Sequence, residues 1–269
     1  MQKKIGFMGT PNFAVPILKN IYQNGYEVSV VYTQPPSKSN RGQKLIKSPI
    51  QSFAETINFN VRTPDNLKNN KSECEYFKNL DLDLVIIVAY GIIIPKEFLP
   101  LSKEGFINLH ASILPQWRGA APIQRSIMSQ NKETGISVMR INEKLDEGDI
   151  SHIFKINIEE NENAQTLSDR LSNLASEKIS EVIDSIFDKE VTFKPQDHSK
   201  ATYAEKIKKT EGLIDWNDKA ENIIGKINGL FPYPGGYFIY KGERYKILKA
   251  QISFNKDQPG KVLSNNLEI

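Results

Sequence analysis

The chain reads as an α/β protein, a parallel-rich sheet covered by helices and followed by a small β-rich unit. Three observations predict this. The opening runs strand, turn, helix, strand. The apolar run at 84–89 has the form of a strand covered on both faces. Beyond residue 205 the pattern changes to Pro, Gly and aromatic clusters. With 269 residues, 39% apolar and 25% charged, the chain suits two soluble domains.

Residues 4–8 are a short apolar run that stops at Gly9, Thr10 and Pro11. A helix follows, ended by Asn24 and Gly25, then a β-rich segment at 27–32. Residues 33–49 break the pattern with Pro, Ser, Asn and Gly. A loop this long is often functional, and this one carries Lys38, Arg41, Lys44 and Lys47 with no acid. Ser48 and Pro49 then form the cap and first position of a helix through Ile57. A strand at 58–62, a polar helix at 67–80, the covered strand at 84–89 and a short helix at 95–99 follow. Another buried strand is predicted at 106–110, a helix at 121–130, and strands at 136–141 and 150–158. A long amphipathic helix at 166–188 closes the first domain, residues 1–189. Residues 190–205 read as a linker. The second domain, 206–269, has a helix at 220–227 and strands at 237–240 and 244–250.

One cysteine, Cys74, excludes an intramolecular disulfide and a thiolate cluster, and three histidines do not make a His-rich metal site. No metal is expected. The longest apolar run, 85–94, is too short to span a bilayer, and Met1 leads into a strand without a secretory signal. A cytoplasmic protein with no membrane contact is expected. Net charge is +3, but residues 200–269 hold 12 basic and 8 acidic side chains. The basic tail fits a polyanionic partner.

Gly9-Thr10-Pro11 is a tight strand-to-helix turn and not a dinucleotide fingerprint, because Pro11 and Phe13 stand where backbone must approach a pyrophosphate. Asn108 and His110 alternate onto one face at the carboxyl end of a strand, where open α/β sheets bind ligands. A carboxamide and an imidazole there can hold an oxygen that gains negative charge, and the imidazole can move a proton. A carboxylate of the turn Leu145-Asp146-Glu147-Gly148-Asp149 could orient that ring. Taken alone, these residues read equally as polar strand ends and a solvated acidic turn.

The wider pattern distinguishes these readings. FMGTPNF at 7–13, TQP at 33–35, RGQKL at 41–45, VAYG at 88–91 and NLHASILP at 108–115 resemble the methionyl-tRNA formyltransferases, a folate-dependent formyltransferase family. So do WRGAAPIQR at 117–125, ETG at 133–135, LDEGD at 145–149 and TYAEK at 202–206. The resemblance spans essentially the whole chain. It implies a Rossmann-like formyltransferase domain followed by an OB-like barrel, shortened here because the chain stops at Ile269. It implies formyl transfer from 10-formyltetrahydrofolate to the α-amine of methionyl initiator tRNA by a monomer. Asn108, His110 and Asp146 match the catalytic trio. Ser112, Ile113, Leu114 and Pro115 match the folate segment, with Tyr90, Gly91 and Ile92, in the stretch 90–94, lining the pterin pocket. Arg41 matches the arginine of the loop that enters the acceptor arm, supported by Lys38, Lys44 and Lys47. Ala111 stands where Gly is usual, and Gln43 stands where a second basic residue is common.

Trp216, Phe231, Tyr233, Tyr237 and Phe238 could stack on bases, but a unit this small needs its aromatics inside. Trp117 is expected under the rim of the site. Sugar-nucleotide N-formyltransferases, and a folate- or RNA-binding module without catalysis, are the rival readings.

Overall fold

The computed structural model describes residues 2–39, 44–253, 255, 257–265 and 268–269. Its elements are β1 (Lys4–Gly9), α1 (Val15–Gln23), β2 (Glu27–Tyr32), β3 (Ser37–Ser39), β4 (Lys44–Ile46), α2 (Pro49–Thr56) and β5 (Val61–Arg62). Then come α3 (Lys71–Asn79), β6 (Leu84–Val88), β7 (Phe106–His110), β8 (Arg118–Gly119), α4 (Pro122–Met128), β9 (Glu133–Arg140), β10 (Ile150–Asn157) and α5 (Ala164–Phe187). The remainder is β11 (Tyr203–Ala204), α6 (Ala220–Gly229), β12 (Gly236–Tyr240) and β13 (Glu243–Ile247).

Seven strands form one sheet in the order β10-β9-β7-β6-β1-β2-β5. The five strands from β7 to β5 run parallel; β9 and β10 are antiparallel additions at the edge. Alternation divides β7 between two cores. Ile107 and Leu109 enter the core shared with α1 and α5, and Phe106 enters the opposite core with Phe77, Phe98 and Tyr90. Asn108 and His110 therefore share the Phe106 face. Helix α5 is tied to α1 and the turn ahead of it by a serine row: Ser172 donates to the Phe13 carbonyl at 2.7 Å and Ser176 to the Pro16 carbonyl at 2.9 Å. The capping prediction at Ser48 is met, since its side chain accepts the Gln51 amide.

Several predicted elements differ. The helix predicted at 67–80 starts only at Lys71, because Asn70 caps it, and Leu67 is buried ahead of it. Residues 96–98 turn before a single 3₁₀ turn at Leu99–Leu101, in place of a helix at 95–99. Within the loop predicted at 33–49, β3 and β4 pair as a short antiparallel hairpin. Arg41 lies outside the described residues. The segment read as a linker is fastened to the first domain: Lys194 exchanges backbone hydrogen bonds with Ile150 at 2.9 Å, and β11 pairs with β8.

In the C-terminal unit, Ile214, Ile227 and Leu230 are buried beside the β12–β13 hairpin. Trp216 packs on Phe238, and Phe238 stacks on Tyr245, but Trp216 and Phe238 are only half-buried and Tyr245 is exposed, so the expected aromatic core is only partly formed. Tyr233 does not join them and is exposed. The unit is linked to α4 by Arg125, which pairs with Glu211 at 2.6 Å. No described helix is long and apolar enough to cross a membrane.

Near the carboxyl rim of the sheet, Arg62 donates to both oxygens of buried Glu73, at 2.8 and 2.5 Å, and the Tyr32 hydroxyl adds a third bond at 2.6 Å. The Arg62 bonds first, and then the Tyr32 bond, hold the Glu73 carboxyl below its ordinary value despite burial. The stability this gives is present above about pH 4.3, the ordinary carboxylate value. It is lost as the pH falls through the depressed folded value. Arg62→Met leaves the carboxylate buried without its main partner, and is expected to cost about 2–3 kcal/mol at pH 7. Urea unfolding should show that deficit shrinking in acid, where Glu73 takes a proton. Equal stability of variant and parent at pH 7 would contradict the assignment.

Candidate functional site

The site is built where β7 ends. His110 is 5% exposed, with both ring nitrogens facing defined groups. Nε2 lies 2.8 Å from the Trp117 carbonyl oxygen. A carbonyl only accepts, so Nε2 carries the proton and the neutral ring keeps its lone pair on Nδ1. Nδ1 faces Asp146 Oδ2 at 3.6 Å, a separation that is electrostatic rather than hydrogen-bonded. The same Oδ2 accepts the Gly119 amide at 2.8 Å. His110 can thus receive a proton only on Nδ1, the nitrogen that faces the Asp146 carboxylate.

Asp146 reaches this point by a detour. Because β9 runs against β7, Arg140 at its end pairs with Ile107, and the following loop must return toward His110. Gly148 makes the return possible. A Cβ there would lie 1.7 Å from the Arg140 carbonyl oxygen. Asp146 adopts φ of 50°, and Trp117 φ of 60°. Both are left-handed, a conformation that costs roughly 1–3 kcal/mol and persists where surrounding bonds fix it.

Asn108 lies on the same face of β7, and its carboxamide makes no hydrogen bond to any described residue. It stays available to a ligand. Of the predicted folate residues, Ser112 and Leu114 are buried and work inside the loop. Ser112 donates to the Gln116 carbonyl at 2.6 Å, and Ser137 bridges the Ser112 carbonyl and the Leu114 amide at 2.7 and 3.0 Å. Ile113 and Pro115 are half-buried. Tyr90 is also buried, with its carbonyl taken by Thr10 and Gln34. Gly91 is exposed at φ of 80°, Ile92 packs on the Tyr90 core, and Ile93 projects into solvent. Lys44 is exposed, and Lys47 pairs with Glu55 at 2.5 Å. Lys38 sits on β3.

Sequence reasoning missed the groups that hold the pair in place. The Trp117 carbonyl and the Gly119 amide are backbone atoms and leave no side-chain signature. Arg118 is 1% exposed between them, and its guanidinium donates to Gln196 at 3.1 and 2.8 Å. The one available signal was Arg118 within WRGAAPIQR.

A family model described as formyl transferase matches residues 3–183, and a second, formyl transferase C-terminal domain, matches 206–268. The methionyl-tRNA formyltransferase of Pelagibacter ubique is 63% identical over 269 residues, covering 100% of this chain and 87% of that protein. That of Caldanaerobacter subterraneus is 42% identical over 268 residues, covering 99% and 87%. Among solved structures, an N-formyltransferase from Helicobacter canadensis with folinic acid and dTDP-3-aminofucose superposes with TM-score 0.73 at 19% identity, covering 95% and 89%. HypX from Aquifex aeolicus with tetrahydrofolic acid gives 0.69 at 15%, covering 97% of this chain and 40% of that one. These structures share the fold.

Gly148→Ala puts a methyl group against the Arg140 carbonyl and is expected to cost about 3 kcal/mol in chemical unfolding. A variant as stable as the parent would contradict the close approach.

Proposed function

The chain belongs to the formyl transferase family, and from that premise we propose its reaction. It passes the formyl group of 10-formyltetrahydrofolate to the α-amine of methionyl initiator tRNA, giving N-formylmethionyl-tRNA for translation initiation. It works as a monomer in the cytoplasm, with residues 1–189 carrying the chemistry and 206–269 facing tRNA. The observation that carries this reading is 63% identity to a methionyl-tRNA formyltransferase across the whole chain. The Asn108, His110 and Asp146 set supports it.

The folate donor supplies a formyl group on nitrogen. Asn108, with its free carboxamide, donates to the formyl oxygen as negative charge builds there. One such donor is worth about 3–4 kcal/mol in comparable sites. His110 takes the proton lost by the attacking amine on Nδ1, directly or through water, and returns it to the departing folate nitrogen. Asp146, 3.6 Å away, stabilises the ring while it is charged. Nε2 is already given to the Trp117 carbonyl, so it does not serve the oxyanion. Ile113, Pro115 and Gly91 are the predicted folate-segment residues open to the ligand, and the buried Ser112, Leu114 and Tyr90 shape the wall. Lys38, Arg41, Lys44 and Lys47 contact tRNA phosphates, although Lys47 must first leave Glu55.

The direct assay is formylation of charged initiator tRNA with 10-formyltetrahydrofolate, run beside elongator tRNA and amino-sugar nucleotides. Transfer to initiator methionyl-tRNA supports the reading, and transfer only to an amino-sugar would replace it. Folate binding without transfer to any amine would also contradict it. Asn108→Ala and Asp146→Ala are each expected to lower kcat about 10²–10³-fold with KM for folate little changed. Near-normal kcat in both would remove the assigned roles.

Replacing Lys38, Arg41, Lys44 and Lys47 together by Ala should flatten the salt dependence of tRNA affinity. The slope falls by about 0.7–0.9 for every phosphate that is no longer neutralised. An unchanged slope would place the loop away from phosphate.

A further inference from the structure

We propose that Gln196 and Arg118 are positioning residues that set the spacing between His110 and Asp146, a role that rests on the formyl-transfer reading. Gln196 belongs to the segment joining the two domains, yet it is 6% exposed. Its amide is fully assigned. Oε1 accepts from Arg118 Nε and Nη2 at 3.1 and 2.8 Å. Both hydrogens on Nε2 then point the other way, to the carbonyls of Asp146 and Gly148 at 2.9 and 2.8 Å. The backbone on either side of the left-handed turn is thereby held from behind, while the Asp146 carboxylate is held from the front by the Gly119 amide at 2.8 Å.

Arg118 couples this turn to the loop that grips the imidazole. Its backbone joins Trp117 to Gly119, and its guanidinium also meets Glu147 at 3.3 Å and His198 Nδ1 at 3.0 Å. The segment after Gln196 adds a second tether. Thr202 Oγ1 accepts the Trp117 amide at 2.9 Å, and the Thr202 carbonyl accepts the Arg118 amide at 2.9 Å. Both loops of the reacting pair are thus fixed by one stretch of interdomain chain. None of its described side chains is hydrogen-bonded or ion-paired to His110 or to the Asp146 carboxylate. Without the Gln196 donors, the strained turn at Asp146 has two fewer bonds holding it. A displacement near 1 Å in a reacting group costs about 10²-fold in rate.

Gln196→Glu keeps an oxygen for Arg118 but sets a second oxygen against the two carbonyls. In the formylation assay, kcat is expected to fall about 10–100-fold, with KM for folate and the Kd for tRNA within about twofold. A purely structural role would lower Tm while kcat per folded molecule stayed at the parent value, and that result overturns the proposal. Thr202→Val, at an exposed position, removes only the Trp117 tether. It decides the question if Gln196→Glu fails to fold, with a kcat about 3–5-fold lower expected and an unchanged kcat contradicting. The ring ¹⁵N shifts of His110, read without substrate, should move in whichever of the two folds and stay fixed in the surface control Lys200→Ala. This readout tests the tether even if the parent protein formylates nothing, an outcome that would reject the proposed reaction alone. Shifts identical to those of the parent would overturn the tether.

Discussion

A three-residue stretch of main chain, from Trp117 to Gly119, grips both His110 and Asp146. Its carbonyl takes the Nε2 proton of His110, and its amide takes one oxygen of Asp146. The arrangement dictates which atom can accept a proton, because Nε2 is already committed. It also dictates where the carboxylate stands when Nδ1 becomes charged. The remaining features of the site serve to keep that stretch still.

Holding it still works against the backbone's own preferences. Trp117 and Asp146 are both left-handed, and Gly119 has φ of 118° with no room for a Cβ against the Ala204 carbonyl. Such conformations persist only when neighbouring bonds outweigh their cost. Here the bonds come from the interdomain segment, through Gln196, Thr202 and the β8–β11 pairing. The sheet contributes the other fixed point, since β7 is central and presents Asn108 and His110 on one face. Asn108 has no such support: its carboxamide is bonded to no described residue, which is the state the proposed oxyanion contact requires.

The fold was legible where periodicity is strong. The boundaries of β2 and β7 follow from their apolar runs, and the start of α2 follows from Ser48 and Pro49. It was not legible where polar side chains decide. Asn70 sets the start of α3, although the apolar Leu67 suggests an earlier one. The β3–β4 hairpin is written in Ser, Lys, Leu and Ile without alternation, so composition reads it as a loop. In the site, strand alternation placed Asn108 with His110, but only the family resemblance selected Asp146 from several acids. The main-chain contacts of Trp117 and Gly119 carry no sequence signal. Gln196 is a single amide in a polar stretch, and only its burial and its four hydrogen bonds distinguish it.

The most direct test of this account is the tautomer of His110, read by long-range ¹H–¹⁵N correlation in the free protein at a pH where the ring is neutral. The proton should reside on Nε2, with Nδ1 showing the resonance of an unprotonated ring nitrogen. A ring protonated on Nδ1 would mean that the Trp117 carbonyl does not hold it, and the assignment of Nδ1 as the proton acceptor would be contradicted.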